Sequence, residues 1–148
     1  MKANAIIKLA YIVIILFFCG FMTINSPLIQ QKPDPNLLKD KGIGPIKSLK
    51  LTAVDQKLAD KGSELFDSKC APCHNIKDVK LAPALQGVTK KLSPEFIMNY
   101  LMNTTEMQKK NPYVQKLIGN WKTVPMMKDQ KIKEKDSRAI LEFLRTQN

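Results

Sequence analysis

Arginine is nearly missing from this 148-residue chain: of 24 Lys+Arg only Arg138 and Arg145 are arginines, against 13 Asp+Glu and a formal net charge of +11. A balance of that sign suits an acidic protein partner, a nucleic acid or an anionic membrane surface. Nucleic acid is the poorest fit. Arginine is the usual reader of base edges, the one Trp and three Tyr form no stacking series, and the lysines are scattered singly or in pairs. A lysine-rich solvated surface accounts for the same charge without any partner. Histidine and cysteine are almost as scarce, at one and three. A structural zinc site takes four ligands, normally from two separated pairs. Beyond Cys70, Cys73 and His74 the chain offers only Cys19, inside an apolar segment, so that site cannot be completed. No stretch alternates as a strand, and no repeat or low-complexity tract is present. The fold class this leaves is all-α.

What is present divides the chain in three. Lys2 and Lys8 precede an uncharged apolar run from Leu9 to Ile24, 16 residues long. A signal-peptide core takes ~7–15 apolar residues and a spanning helix ~17–25. Starting the run at Ala5, with Lys8 snorkelling, reaches a span. The following FMTINSP has no A-x-A pattern, and Pro27 is a poor residue after a cut at Ser26. Residues 1–24 therefore read as an uncleaved signal anchor, with a cleaved signal peptide as the alternative; either exports the remainder to the periplasmic side of the cytoplasmic membrane. Cys19 reads as membrane packing, because bulky Phe18 does not suit a lipidated cysteine. Residues 25–52 read as a tether: Pro27, Pro33, Pro35, Gly42, Gly44 and Pro45 break every periodicity. Its end, GIGPIKSLKL, carries enough apolar residues to lie along a domain surface.

Residues 53–148 read as a small helical domain. Val54, Leu58, Gly62, Leu65 and Phe66 recur at spacings of three and four and predict an apolar stripe ending before Cys70. Ser93 with Pro94 and Glu95, and Asn111 with Pro112, are two helix starts of the cap-then-proline kind. Ala139, Ile140, Phe143 and Leu144 predict one face of a closing helix, with Arg145 in its last turn to complement the dipole. A domain of this size buries a modest fraction of its surface, so a cofactor serving as part of the core would help.

The chemistry concentrates in SKCAPCHNI, where Cys70, Cys73 and His74 fall within five residues. A redox dithiol expects a βαβ context, and the surroundings here are helical. Covalent haem attachment fits better. It takes two thiols for the two vinyl groups, a histidine next along the turn for the iron, and no second histidine. The remaining axial ligand would come from Met, Lys, Asn, water or nothing. Met98 and Met102 share a helical spacing and read as core; Met107, followed by Gln108, Lys109 and Lys110, reads as near the surface.

Residues 53–148 resemble the class I c-type cytochromes beyond the haem motif. Gly62 and Phe66 precede Cys70 by eight and four residues, as in the family's G-x-x-x-F before C-x-x-C-H. APALQGV is similar to G-P-x-L-x-G with Ala82 in place of the first glycine, and RAILEFL is similar to the closing helix, with Phe143 as its aromatic. The resemblance implies a helical domain around one haem and close contact of the first and last helices. It implies a Pro83 carbonyl that accepts from His74 Nδ1–H, and a ligand loop at TVPMMKDQ. The family's proline follows its methionine, whereas Pro125 precedes the pair here, so Met126 is the first choice of ligand and Met127 the second. Trp121 is implied as a donor to a haem propionate, or is a core aromatic. A His/Met haem implies a one-electron carrier rather than a catalyst, passing electrons from a membrane donor to an exported reductase or oxidase. Lys77, Lys80, Lys90, Lys91 and Lys128 would rim the haem edge and dock on a partner's acidic patch. The rivals are a haem enzyme or gas sensor with five-coordinate iron, and a tethered haem subunit of a larger oxidoreductase.

Overall fold

Two helices crossing at one glycine set the frame of this domain. The computed structural model describes residues 35–121, 127 and 129–148, all within the unit Pro33–Asn148; the apolar run, the start of the tether, Met126 and Lys128 lie outside the described residues. Among the described residues there are seven helices and no strand: α1 Pro35–Lys39, α2 Gln56–Lys69, α3 Val88–Lys91, α4 Pro94–Met102, α5 Thr104–Lys110, α6 Pro112–Asn120 and α7 Glu134–Thr146. No helix among them is long and apolar enough to cross a membrane.

The starts of α4 and α6 follow from their caps. Ser93 Oγ accepts from Phe96 N–H at 3.1 Å, and Asn111 Oδ1 accepts from Val114 N–H at 3.1 Å, with Pro94 and Pro112 supplying fixed φ where no N–H is needed. Helix α2 starts later than the apolar stripe suggests. Asp55 caps it by accepting from Leu58 N–H at 3.0 Å, which leaves Val54 before the helix and exposed. The working stripe is Leu58, Ala59, Gly62, Leu65 and Phe66, packed on α7. A Cβ on Gly62 would run into the carbonyl oxygen of Ala139 and come within 2.9 Å of Phe143 Cβ. Hydrogen at this position is what lets the two backbones meet, and Ala139 and Ile140 are sealed beneath. Phe66 and Phe143 stack across the crossing with centroids 5.1 Å apart.

Helix α7 also holds a feature that the apolar pattern hides. Glu142 is fully buried and is clasped by both arginines of the chain: Arg138 Nη2 at 2.6 Å and Arg145 Nη1 at 2.7 Å. Arg145 does more than complement the helix end, since its Nη2 also donates to Thr52 O at 2.7 Å and ties the approach to α2 onto α7. A carboxylate sealed from solvent must be paired in this way, and removing an arginine would leave its charge under-compensated.

Residues 40–50, which take in most of the stretch 42–51 expected to lie along the domain, are fastened as a strap across α4, α5 and the start of α6. Asn99 is buried, and its side-chain amide is fully used. Oδ1 accepts from Ile46 N–H at 2.9 Å, and Nδ2 donates to Lys41 O at 2.8 Å and Ile46 O at 2.9 Å. Asn103 Nδ2 donates to Ile43 O at 3.0 Å, Glu95 accepts from Leu49 N–H at 3.0 Å, and Asn111 Nδ2 donates to Asp40 Oδ2 at 3.0 Å. Met107 corrects its sequence reading. It is completely buried, its Sδ accepting from Ile43 N–H at 2.9 Å beneath Gly42, whose φ of +67° lets the strap turn there. Lys109 and Lys110 point to solvent, while the strap covers the methionine's own side of α5. Met98 is core and Met102 packs against it, as their spacing predicts.

Candidate haem site

The CAPCH turn is built from main chain. Cys70 N–H and Ala71 N–H both donate to Phe66 O, at 2.7 and 2.9 Å, ending α2. Cys73 N–H and His74 N–H then both donate to Cys70 O, at 3.0 and 2.9 Å, closing one more turn. The loop beyond folds back onto it: Ala82 N–H donates to Cys73 O at 3.0 Å and Gln86 N–H to Ile76 O at 2.7 Å. This brings the Pro83 carbonyl to 2.8 Å from His74 Nδ1. A carbonyl can only accept, so Nδ1 carries the proton and Nε2 keeps its lone pair for a metal. Ala82 is buried, and its methyl is accommodated where the family pattern has glycine.

Next to this turn lies a cavity of about 530 Å³, lined mainly by apolar side chains. Cys70, Cys73 and His74 line it, as do Phe96, Ile97 and Leu101 of α4, Val114, Leu117 and Ile118 of α6, and Leu144 of α7. Trp121, half-buried at the end of α6, and Met127, also half-buried, belong to the same lining. Burial pushes the Cys70 thiol up to about 11, with Lys69 opposing weakly. A redox dithiol needs the opposite shift. Among the described residues no three of His, Cys, Asp and Glu converge on one ion, so the two thiols and the imidazole do not form a zinc cage. They do fit haem c: two thiols on a fixed turn, one imidazole with its far nitrogen committed, and an apolar slot in the size range of cofactor sites, ~300–1,000 Å³.

Of the lysines expected around the haem edge, Lys77, Lys90 and Lys91 are exposed, the last two on α3 rather than a loop. Lys80 is exposed too, with Nζ donating to Ala71 O at 2.8 Å. Lys128 and Met126 lie outside the described residues. Sequence reasoning missed Tyr100, Gln108 and Tyr113, which also line the cavity. Tyr113 between Pro112 and Val114 on a capped helix is a signal that was available; nothing local marks Gln108.

Residues 59–148 match the family Cytochrome c. Among solved structures, a cytochrome c from Rhodothermus marinus is similar at TM-score 0.69 and 37% identity, over 76% of this chain and 96% of that one. An engineered form of that protein, Rma TDE, is similar at 0.68 and 36%, with the same coverage of 76% and 96%. The engineered protein bound to a carbene intermediate, 1-ethoxy-1-oxopropan-2-ylidene, is similar at 0.66 and 35%, again covering 76% and 96%. No curated protein matches. The chain belongs to the cytochrome c family and is a haem-binding electron-transfer protein with one covalently attached haem c.

Proposed function

We propose that this protein is a one-electron carrier whose haem is ligated by His74 and by a methionine of the Met126–Met127 pair, working outside the cytoplasmic membrane. The observation that carries the reading is Met127 on the lining of the cavity that also receives His74. When bound, the haem supplies a one-electron couple at its iron. Cys70 and Cys73 fix the group to the turn, and the Pro83 carbonyl, accepting from Nδ1–H at 2.8 Å, holds the imidazole plane and raises its donor strength. The apolar lining from α4 and α6 keeps water out. Trp121, at the edge of that lining, is read as the indole N–H donor to a propionate. His74 and a methionine of the pair would together hold the iron and leave no position for substrate, which is why the reading is a carrier.

The donor is proposed to lie in the membrane and the acceptor to be an exported reductase or oxidase with an acidic patch. Lys77, Lys90 and Lys91 would steer the encounter, so transfer should slow steeply as salt rises through the range where the Debye length falls below ~10 Å. The apolar N-terminal run would keep the carrier at the membrane; sequencing the mature N-terminus tests that part.

A second reading, group-transfer catalysis at an open distal position, is favoured by the engineered Rhodothermus marinus relative solved with a bound carbene. Carbon monoxide added to the reduced protein separates the two. A low-spin spectrum unchanged by the gas supports the carrier, whereas immediate binding supports the open site.

A further inference from the structure

Met127, one of the two proposed distal ligands, follows α6. Among the described residues, one hydrogen bond reaches Met127–Lys131 from another element: Gln108 Nε2 donates to the main-chain carbonyl of Met127 at 3.0 Å. Gln108 is itself placed by a helix held at both ends. At the N-terminal end of α5, Asn103 Nδ2 donates to Ile43 O at 3.0 Å and Thr104 Oγ1 to Tyr100 O at 2.8 Å. At its C-terminal end, Asn111 Nδ2 donates to Asp40 Oδ2 at 3.0 Å, and between them Met107 is sealed under the strap. Burial raises the Tyr100 phenol, with the Gln108 side chain opposing, and both residues line the cavity.

We infer that Gln108 is a positioning residue for the distal side of the haem site: its amide fixes the main chain at Met127 against α5 and, through it, the thioether within reach of the iron. The inference rests on methionine ligation as proposed above. A thioether is a weak axial ligand, held by the stiffness of its loop more than by its own bond, so loosening one end of that loop should free the distal position for part of the time. The strap enters the same argument, because it holds α5 and hence the Gln108 donor.

The test compares purified holoprotein with Q108L, which keeps the stem and loses the donor, and Q108E, of equal size but presenting a carboxylate to the carbonyl. Q115L serves as control: Gln115 Nε2 donates to Lys109 O at 2.6 Å, a similar bond that touches no part of the Met127 stretch. The expected result is a weakened methionine–iron charge-transfer band, a lowered reduction potential and about tenfold tighter carbon monoxide binding in both Gln108 variants, with Q115L unchanged. If Q108L does not mature, Q108E carries the comparison. A wild-type band that persists unaltered in both variants overturns the role of Gln108 while leaving methionine ligation standing, and equal changes in Q115L overturn it as well. A wild type with no such band, binding carbon monoxide freely, removes the ligation reading and this inference with it.

Discussion

The two stretches that lead into the cavity's lining are secured by opposite means. The Cys70–Pro83 turn is closed by main-chain hydrogen bonds between residues at most nine apart, and its Cys70, Cys73 and His74 side chains line the cavity. The strap–α4–α5 region is secured by side-chain amides reaching across 53 to 71 residues: Asn99 to Ile46, Asn103 to Ile43, Asn111 to Asp40. A local main-chain turn survives most substitutions because every residue carries the bonding groups. A buried amide that satisfies three partners fails as a unit, since each stranded donor or acceptor costs ~1–3 kcal/mol. The His74 side should therefore be robust to side-chain change except at the ligands themselves. The strap side should break at single residues.

Losing His74 tests the exception and should have the largest effect. In His74→Gly the chain keeps its turn but loses the proposed iron ligand, and a small core completed by cofactor should not reach its native state; circular dichroism and haem content of the purified chain measure this. Asn99→Ala comes next. It should cost ~2–4 kcal/mol in chemical unfolding and loosen residues 40–50 in amide exchange. A loss below ~0.5 kcal/mol would mean the strap is laid on the domain rather than built into it. Gly62→Ala probes the frame beneath both regions: its methyl meets main chain at Ala139, which cannot swing aside, so ~1–3 kcal/mol should be lost as α2 and α7 part. The smallest change belongs to Lys80→Ala. Its Nζ donates to Ala71 O at 2.8 Å, yet the lysine is exposed and the turn stands on main chain. Stability should move by less than ~0.5 kcal/mol, and a clear loss would show that the turn needs side-chain support after all.

Much of this was legible in advance wherever the determinant is short-range. The starts of α4 and α6 are written in Ser93–Pro94 and Asn111–Pro112, and the turn chemistry is written in Cys70, Cys73 and His74. Even the α2–α7 crossing could be anticipated from Gly62 and the similarity of the motif around it. Other positions misled for a physical reason. Met107 stands beside Gln108, Lys109 and Lys110, a solvated pattern, and nothing local reveals that residues 42–43 cover it. Val54 matches the apolar period but precedes the cap at Asp55, and a cap outranks a period at a helix end. Glu142 interrupts an apolar face, although its spacing of four from Arg138 and three from Arg145 could have been read as a paired buried charge.

The sequence by itself determined the starts of α4 and α6, the stripe of α2, the closing helix and the attachment turn, because caps, prolines and a five-residue motif act within a turn or two of chain; α1, α3 and α5 were not marked in it. Only the tertiary structure decided how residues 40–50 are bonded into the domain, that Met107 lies inside it and that Gln108 donates to Met127. Each of these joins groups distant along the chain or set by a loop's path, and such pairings depend on how helices pack, which no local pattern encodes.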